Sequence, residues 1–179
     1  MRESHGNLHR RAARFATAGF FGVLFWSRAA PALPPQGARE AADRMTARAL
    51  VANAFARAAV KLRKPECRSV LSDFADAGGR RLSEILEERR MGAGEFLASL
   101  IFVDGRAAPL CQSGKVAAGA NPGSIFIGVC KETFARVQAD DPGLATNVVI
   151  HEMLHALGLG ENPPTSEEIT SQVVKRCGL

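Results

Sequence analysis

The segment HEMLHALGLGE, residues 151–161, constrains the fold more than any other part of this chain. His151 and His155 are four residues apart, so on an α-helix both side chains lie on one face, one turn apart. Glu152 follows the first histidine directly. Gly158 comes three residues after the second, where a glycine suits the left-handed conformation that ends many helices. The segment therefore predicts a helix with a polar face that stops sharply near Gly158.

The start of this helix is also readable. Asp140 or Asp141 can cap the first turn, and Pro142 fits a first helical position because its missing N–H would have no partner there. The apolar residues that follow indicate that the rest of the helix is buried.

The two histidines and the glutamate form a pattern that is typical of a metal site. His151 and His155 can direct two imidazole nitrogens at one ion, and Glu152 can hold a water molecule and accept its proton. The other two histidines of the chain, His5 and His9, lie near the N-terminus. A buried helix that contains two packing histidines is the alternative, but it gives no reason for the pair to coincide with this motif. We expect one Zn²⁺ ion.

These residues resemble the extended HExxHxxGxxH/D motif of the metzincin branch of zincin-type zinc metallopeptidases. The resemblance rests on His151, Glu152, His155 and Gly158 and covers one helix and the turn after it. It implies that Glu152 is the general base of peptide hydrolysis. It also implies that the chain turns after Gly158 and brings Glu161 to the zinc as the third protein ligand.

The sequence departs from the metzincin pattern in three ways. Glu161 stands where metzincins have His or Asp, although zinc sites with two histidines and a glutamate are well known. No methionine follows Met153 to form a Met-turn, and the chain has no tyrosine. Glu167 or Glu168 is the alternative third ligand, as in the gluzincin branch, where that ligand comes from a later helix. The pattern therefore indicates a minimal zincin.

The leading hypothesis is a secreted zinc-dependent metallopeptidase that acts on a peptide or protein substrate through a zinc-activated water. One alternative is an exported zinc-containing binding or structural domain without turnover. Another is a zinc hydrolase that acts on a non-peptide amide. In zincins an antiparallel edge strand above the active-site helix binds substrate, and the segment SIFIGVC, residues 124–130, is the candidate for that strand.

Residues 1–32 have the order of a secretory signal peptide. Arginines at positions 10, 11 and 14 precede an apolar run over residues 15–26, and the APA of residues 30–32 fits a cleavage site. An uncleaved membrane anchor is the alternative, although the apolar run is short for a bilayer span. We expect a secreted or periplasmic protein with no stable membrane insertion after cleavage.

The basic charge belongs mainly to this N-terminal segment. The whole chain has a formal net charge of +5, but residues 1–32 hold five arginines and one glutamate, which leaves the remainder close to +1. The charge therefore gives no support to nucleic-acid binding.

The four cysteines all follow residue 32: Cys67, Cys111, Cys130 and Cys177. An even number in an exported chain predicts two disulfides, with three possible pairings. A bridge to Cys177 would hold the C-terminal tail. The alternative for Cys67 is a free thiol that blocks the zinc in a latent enzyme, with residues 33–63 as a pro-segment.

The remaining pattern predicts an α+β fold, with a small, mainly antiparallel sheet packed with helices and the active-site helix near the C-terminus. Residues 33–66 read as a linker and an Ala-rich helix ended by Pro65, and residues 67–179 as the zincin-like catalytic domain. Residues 100–103 are a strand candidate, Asp104–Gly105 a hairpin turn and residues 106–111 the returning strand. Residues 166–177 are predicted to form a final helix.

Overall fold

The computed structural model describes residues 36–179, so the signal peptide predicted over residues 1–32 lies outside the described residues. The helices are α1 (Gln36–Lys61), α2 (Pro65–Arg68), α3 (Val70–Asp73), α4 (Leu82–Glu88), α5 (Ala93–Ser99), α6 (Pro109–Gln112), α7 (Lys131–Asp140), α8 (Pro142–Ala156) and α9 (Ser166–Cys177). The strands are β1 (Ile101–Asp104), β2 (Ala118–Ala120) and β3 (Phe126–Val129). This arrangement confirms the predicted α+β class.

The three strands form one mixed sheet in the order β1-β3-β2. β1 and β3 are parallel, with Phe102 opposite Ile127. β2 runs antiparallel to β3, with Ala118 opposite Val129. The sheet is therefore mixed, whereas a mainly antiparallel sheet was expected. The β2–β3 pair is antiparallel as expected, but the β1–β3 pair is parallel, because the chain crosses over between β1 and β3 instead of turning back beside β1.

The predicted hairpin after β1 is replaced by a helical crossover. The chain turns at residues 105–108, where the Ala108 amide donates to the Gly105 carbonyl at 2.8 Å, but residues 106–111 do not form a returning strand, and α6 begins at Pro109. Pro109 has no N–H to donate to a neighbouring strand, and proline suits the first turn of a helix, so this segment forms a short helix and not a strand. A disulfide between Cys111 and Cys130 fastens α6 to the residue that follows β3.

Helix α1 belongs to the same core as the rest of the described chain. Its stripe of Val51, Ala54, Ala58 and the following Leu62 is almost completely buried. This stripe packs mainly against α8 and β1. Cleavage after residue 63 would remove α1 and its buried side chains from the core, so the described fold gives no support to residues 33–63 as a removable pro-segment.

The two predicted disulfides are present, as Cys67–Cys177 and Cys111–Cys130. The first joins α2 to the end of α9 and holds the C-terminal tail as expected. It also excludes the alternative of a free, zinc-blocking thiol at Cys67. Two disulfides are consistent with an extracellular protein. Among residues 36–179, no helix combines the length and apolarity that a membrane crossing requires.

Helix α9 is also held against α3 by side-chain hydrogen bonds. Asp73, at the end of α3, accepts hydrogen bonds from the Arg176 guanidinium at 2.7 Å and from the Gln172 side-chain amide at 2.6 Å. These contacts, with the disulfide at Cys177, determine where the inner face of α9 lies relative to α8.

Candidate metal centre

Helix α8 carries the site and begins where the sequence indicates. Of the two candidate caps, Asp141 is the one used: its carboxylate accepts a hydrogen bond from the Leu144 amide at 2.9 Å. Pro142 occupies the first turn. The helix is buried on nearly all sides, with Ile150 and Leu154 fully inaccessible, so the backbone that holds the histidines has little freedom to move.

The predicted stop at Gly158 is confirmed. Gly158 has a φ of 119°, which disfavours any residue with a Cβ. Its amide donates to the His155 carbonyl at 2.8 Å, and the Leu159 amide donates to the Leu154 carbonyl at 3.1 Å. This pair of bonds is the Schellman arrangement that closes a helix end. The turn redirects the chain so that residues 159–161 pass beside the histidines.

Three potential ligand atoms converge at this turn. The Nε2 atoms of His151 and His155 are 3.0 Å apart, and Glu161 Oε1 lies 3.2 Å from His155 Nε2 and 3.8 Å from His151 Nε2. Ligands of one tetrahedral zinc at about 2.0–2.1 Å are about 3.4 Å from each other, so these separations are of the right size. The three side chains could together hold a metal ion.

The second ring nitrogen of each histidine has its own hydrogen-bond partner. His155 Nδ1 lies 2.8 Å from the Leu159 carbonyl oxygen, and His151 Nδ1 lies 3.0 Å from Thr170 Oγ1 on α9. Such outer partners orient the rings and set the tautomer of metal-ligating histidines. Thr170 could not be predicted from the sequence, because only the packing of α9 against α8 brings its hydroxyl to His151.

The electrostatics of His151 favour a neutral ring. Burial, and to a smaller degree the neighbouring His155, lower the pKa of His151 to about 4, although Glu161 opposes the shift. Neutral imidazole is the form that binds metals, so near neutral pH this ring carries no positive charge that would repel a cation.

Glu152 is a buried acid beside the ligand cluster. It is 6 % exposed, and burial raises the pKa of its carboxyl to about 8; a hydrogen bond from the Ala120 backbone opposes the shift, and the charge of Glu161 adds to it. Its Oε2 has no hydrogen-bond partner among the described residues. A buried oxygen without a partner is uncommon and requires an explanation, which a bound cation and its water would supply.

Glu167 and Glu168, the alternative third ligands, lie outside the cluster. The Glu168 carboxylate accepts a hydrogen bond from the Thr165 amide at 2.8 Å, and the Thr165 hydroxyl accepts one from the Glu168 amide at 3.2 Å. This capping box commits Glu168 to the start of α9. Both glutamates are exposed, and Glu161 is the acidic residue whose carboxylate reaches the two histidines.

The strand beside the site is β2 and not the segment SIFIGVC. That segment contains β3, which lies in the centre of the sheet and has both edges occupied, so the expectation of an edge strand there was wrong. β2 lies at an edge, packs against α8, and brings the Ala120 backbone to Glu152. The turn after it is anchored to the helix end by the Gly123 amide, which donates to the His155 carbonyl at 2.8 Å.

The candidate centre thus combines two ligands from α8, one ligand from the turn after it, and an acid that faces β2. All its donor atoms are nitrogen or carboxylate oxygen, the set that zinc accepts. In comparisons with known proteins, no family model, no curated protein and no solved structure matches this chain.

Proposed function

We propose that this protein is an exported zinc-dependent peptidase of the zincin type, with a metzincin-like third ligand. One observation carries the proposal: the ligand atoms of His151, His155 and Glu161 converge beside the buried Glu152 carboxyl, one of whose oxygens has no partner. Catalytic zinc sites have three protein ligands and keep a further position for water or substrate. A general base next to such a set is the arrangement that hydrolysis needs.

The roles follow from the positions of the side chains. His151, His155 and Glu161 would hold the ion, and the Leu159 carbonyl keeps the His155 ring oriented. When bound, zinc supplies Lewis-acid chemistry and acidifies water. A bound cation would favour the ionised Glu152 carboxylate over the neutral acid, and this carboxylate would accept a proton from the attacking water and return it to the amine that leaves, so that the peptide bond is split into an acid and an amine.

An extended peptide is the substrate class that suits the surroundings. β2 is an edge strand, and its outer backbone groups can pair with an added strand. Its residues are Ala118, which is buried, and Gly119 and Ala120, which are partly exposed. Strand addition beside Ala120 would place the peptide next to the Glu152 carboxyl.

Export is the second part of the proposal. The order of residues 1–32 and the two disulfides support a secreted or periplasmic location, where an oxidising environment maintains the bridges.

A zinc-containing binding domain without turnover is the second candidate. It is favoured by the absence of tyrosine from the sequence and of any methionine after Met153, since zincins commonly use a phenol near the oxyanion and a methionine beneath the metal. Nothing in these absences affects the ligand set, so this candidate predicts zinc binding without hydrolysis.

Metal analysis of the purified mature protein, beside a peptide-cleavage screen with and without a chelator, tests the proposal. We expect one zinc per chain and cleavage that the chelator abolishes and added zinc restores. If the protein binds zinc but cleaves neither peptides nor simple non-peptide amides, the result would favour the zinc-containing binding domain. A protein that takes up no zinc would contradict both candidates.

A further inference from the structure

The outer partners of the two histidines differ in chemical kind. His155 Nδ1 faces the Leu159 carbonyl oxygen at 2.8 Å, and a carbonyl can only accept a hydrogen bond. His151 Nδ1 faces the Thr170 hydroxyl at 3.0 Å, and a hydroxyl can donate or accept. The neutral His155 ring is therefore limited to the tautomer with its proton on Nδ1, whereas the His151 ring has both tautomers available.

The contact between the two rings selects one tautomer of His151 when no metal is bound. The two Nε2 atoms are 3.0 Å apart, a hydrogen-bonding distance. Because His155 keeps its proton on Nδ1, its Nε2 can only accept, and the bond requires a proton on His151 Nε2. His151 Nδ1 is then an acceptor, and the Thr170 hydroxyl donates to it.

Metal binding requires the opposite tautomer of His151. The lone pair on Nε2 is the ligand, so the proton must leave Nε2, and a proton taken from solvent must reside on Nδ1. The ring gains and loses one proton and stays neutral. From Nδ1 it donates to Thr170 Oγ1. A carbonyl in place of the hydroxyl would suit only this second state.

We propose that Thr170 is a positioning residue of the metal centre, whose hydroxyl changes from donor to acceptor as His151 changes tautomer on metal binding. The inference rests on the proposed metal-binding role of His151, His155 and Glu161. Thr170 is well placed for it, because α9 is fastened by the disulfide at its last residue and by the contacts of Asp73 with Gln172 and Arg176.

Zinc affinity in three variants tests the hydroxyl. Thr170→Val keeps the shape of the side chain but removes the hydrogen bond in both tautomeric states. We expect the zinc dissociation constant, measured by competition with a chelator, to rise about 10–100-fold, the usual effect of losing an outer partner. Thr170→Ser should restore most of the affinity. Ser171→Val, at the neighbouring exposed position on α9, is the matched control and should bind zinc as the wild type does.

The tautomers themselves provide a readout that does not depend on any variant. Long-range ¹H–¹⁵N correlation spectra of the wild type should show His151 with its proton on Nε2 in the metal-free protein and on Nδ1 after addition of zinc. His155 should carry its proton on Nδ1 in both states.

Two results would overturn the inference alone: zinc binding by Thr170→Val as tight as that of the wild type, or a His151 ring that carries its proton on Nδ1 in both states. A wild type that binds no zinc would instead refute the proposed function, and this inference with it.

Discussion

Replacement of Gly158 by alanine should weaken both the fold and the metal centre. At a φ of 119° an alanine Cβ is strained, and it would lie 3.2 Å from the Asp76 Cβ, closer than the roughly 3.5–4.0 Å of an ordinary carbon–carbon contact. Asp76 cannot easily withdraw, because its carboxylate accepts hydrogen bonds from the Gly78 and Arg80 amides at 2.9 Å.

The expected loss is about 1–3 kcal/mol in the free energy of unfolding, the range for a strained backbone position without glycine. For a chain of this size each kcal/mol corresponds to about 2–4 °C in melting temperature. The Leu159 carbonyl, which orients His155, comes directly after the altered residue, so we also expect weaker zinc binding in this variant.

Urea titration of the metal-free protein measures the first effect, and chelator competition measures the second. Gly160→Ala is the control in the same turn, because a Cβ there meets no atom within 4 Å and the residue has no positive φ. It should be neutral or slightly stabilising. Equal stability of the two variants would refute the assignment of Gly158 as the residue that stops α8.

Three further experiments have defined outcomes. Glu161→Ala should lose most zinc affinity, whereas Glu168→Ala should keep it and cost about 1 kcal/mol of stability through loss of the hydrogen bond from the Thr165 amide to the Glu168 carboxylate. Zinc titrations and melts of both variants measure these effects, and zinc affinity that is lost in Glu168→Ala but kept in Glu161→Ala would contradict the assignment of the third ligand. Replacement of Cys67 and Cys177 by alanine should reduce the free energy of unfolding by about 2–5 kcal/mol, since their bridge closes a loop of 110 residues, and an unchanged urea midpoint would contradict this. Hydrogen bonding to the Arg176 guanidinium holds the pKa of Asp73 below its usual range. The ionised Asp73 therefore stabilises the fold fully above its unfolded-state pKa, and this stabilisation is lost as the pH falls through the lower folded-state pKa. Asp73→Asn should therefore be less stable than the wild type at pH 7, and pH-dependent melts should show the difference shrinking below about pH 4.

The parts of the site that the sequence could predict are those encoded by neighbouring residues. The cap at Asp141, the histidine face of α8 and the stop at Gly158 each depend on contacts within a few positions, so spacing alone was sufficient. Glu161 was named from the resemblance to the metzincin motif, which implies a ligand three residues after Gly158, with Glu167 and Glu168 left as alternatives.

The parts that could not be predicted depend on contacts between distant segments. The sequence of β2, Ala-Gly-Ala, has little intrinsic preference for a strand, and it forms one because it pairs with β3 while Leu110 packs over Gly119. Because β3 lies between β1 and β2, residues 124–130 cannot be the substrate-binding edge strand that was expected there. Thr170 likewise reaches His151 only through the packing of α9.

The central claim is tested most directly by zinc content and peptide hydrolysis measured on one preparation each of the wild type and Glu152→Gln. Glutamine keeps the size of the side chain but cannot accept a proton at neutral pH, so the variant should bind zinc as the wild type does. Its rate of peptide hydrolysis should fall by about 10²–10⁴-fold, the usual contribution of a general base. Hydrolysis that survives in the zinc-loaded variant would contradict the account of Glu152 as the base, and a zinc-loaded wild type that cleaves no peptide would contradict the peptidase itself.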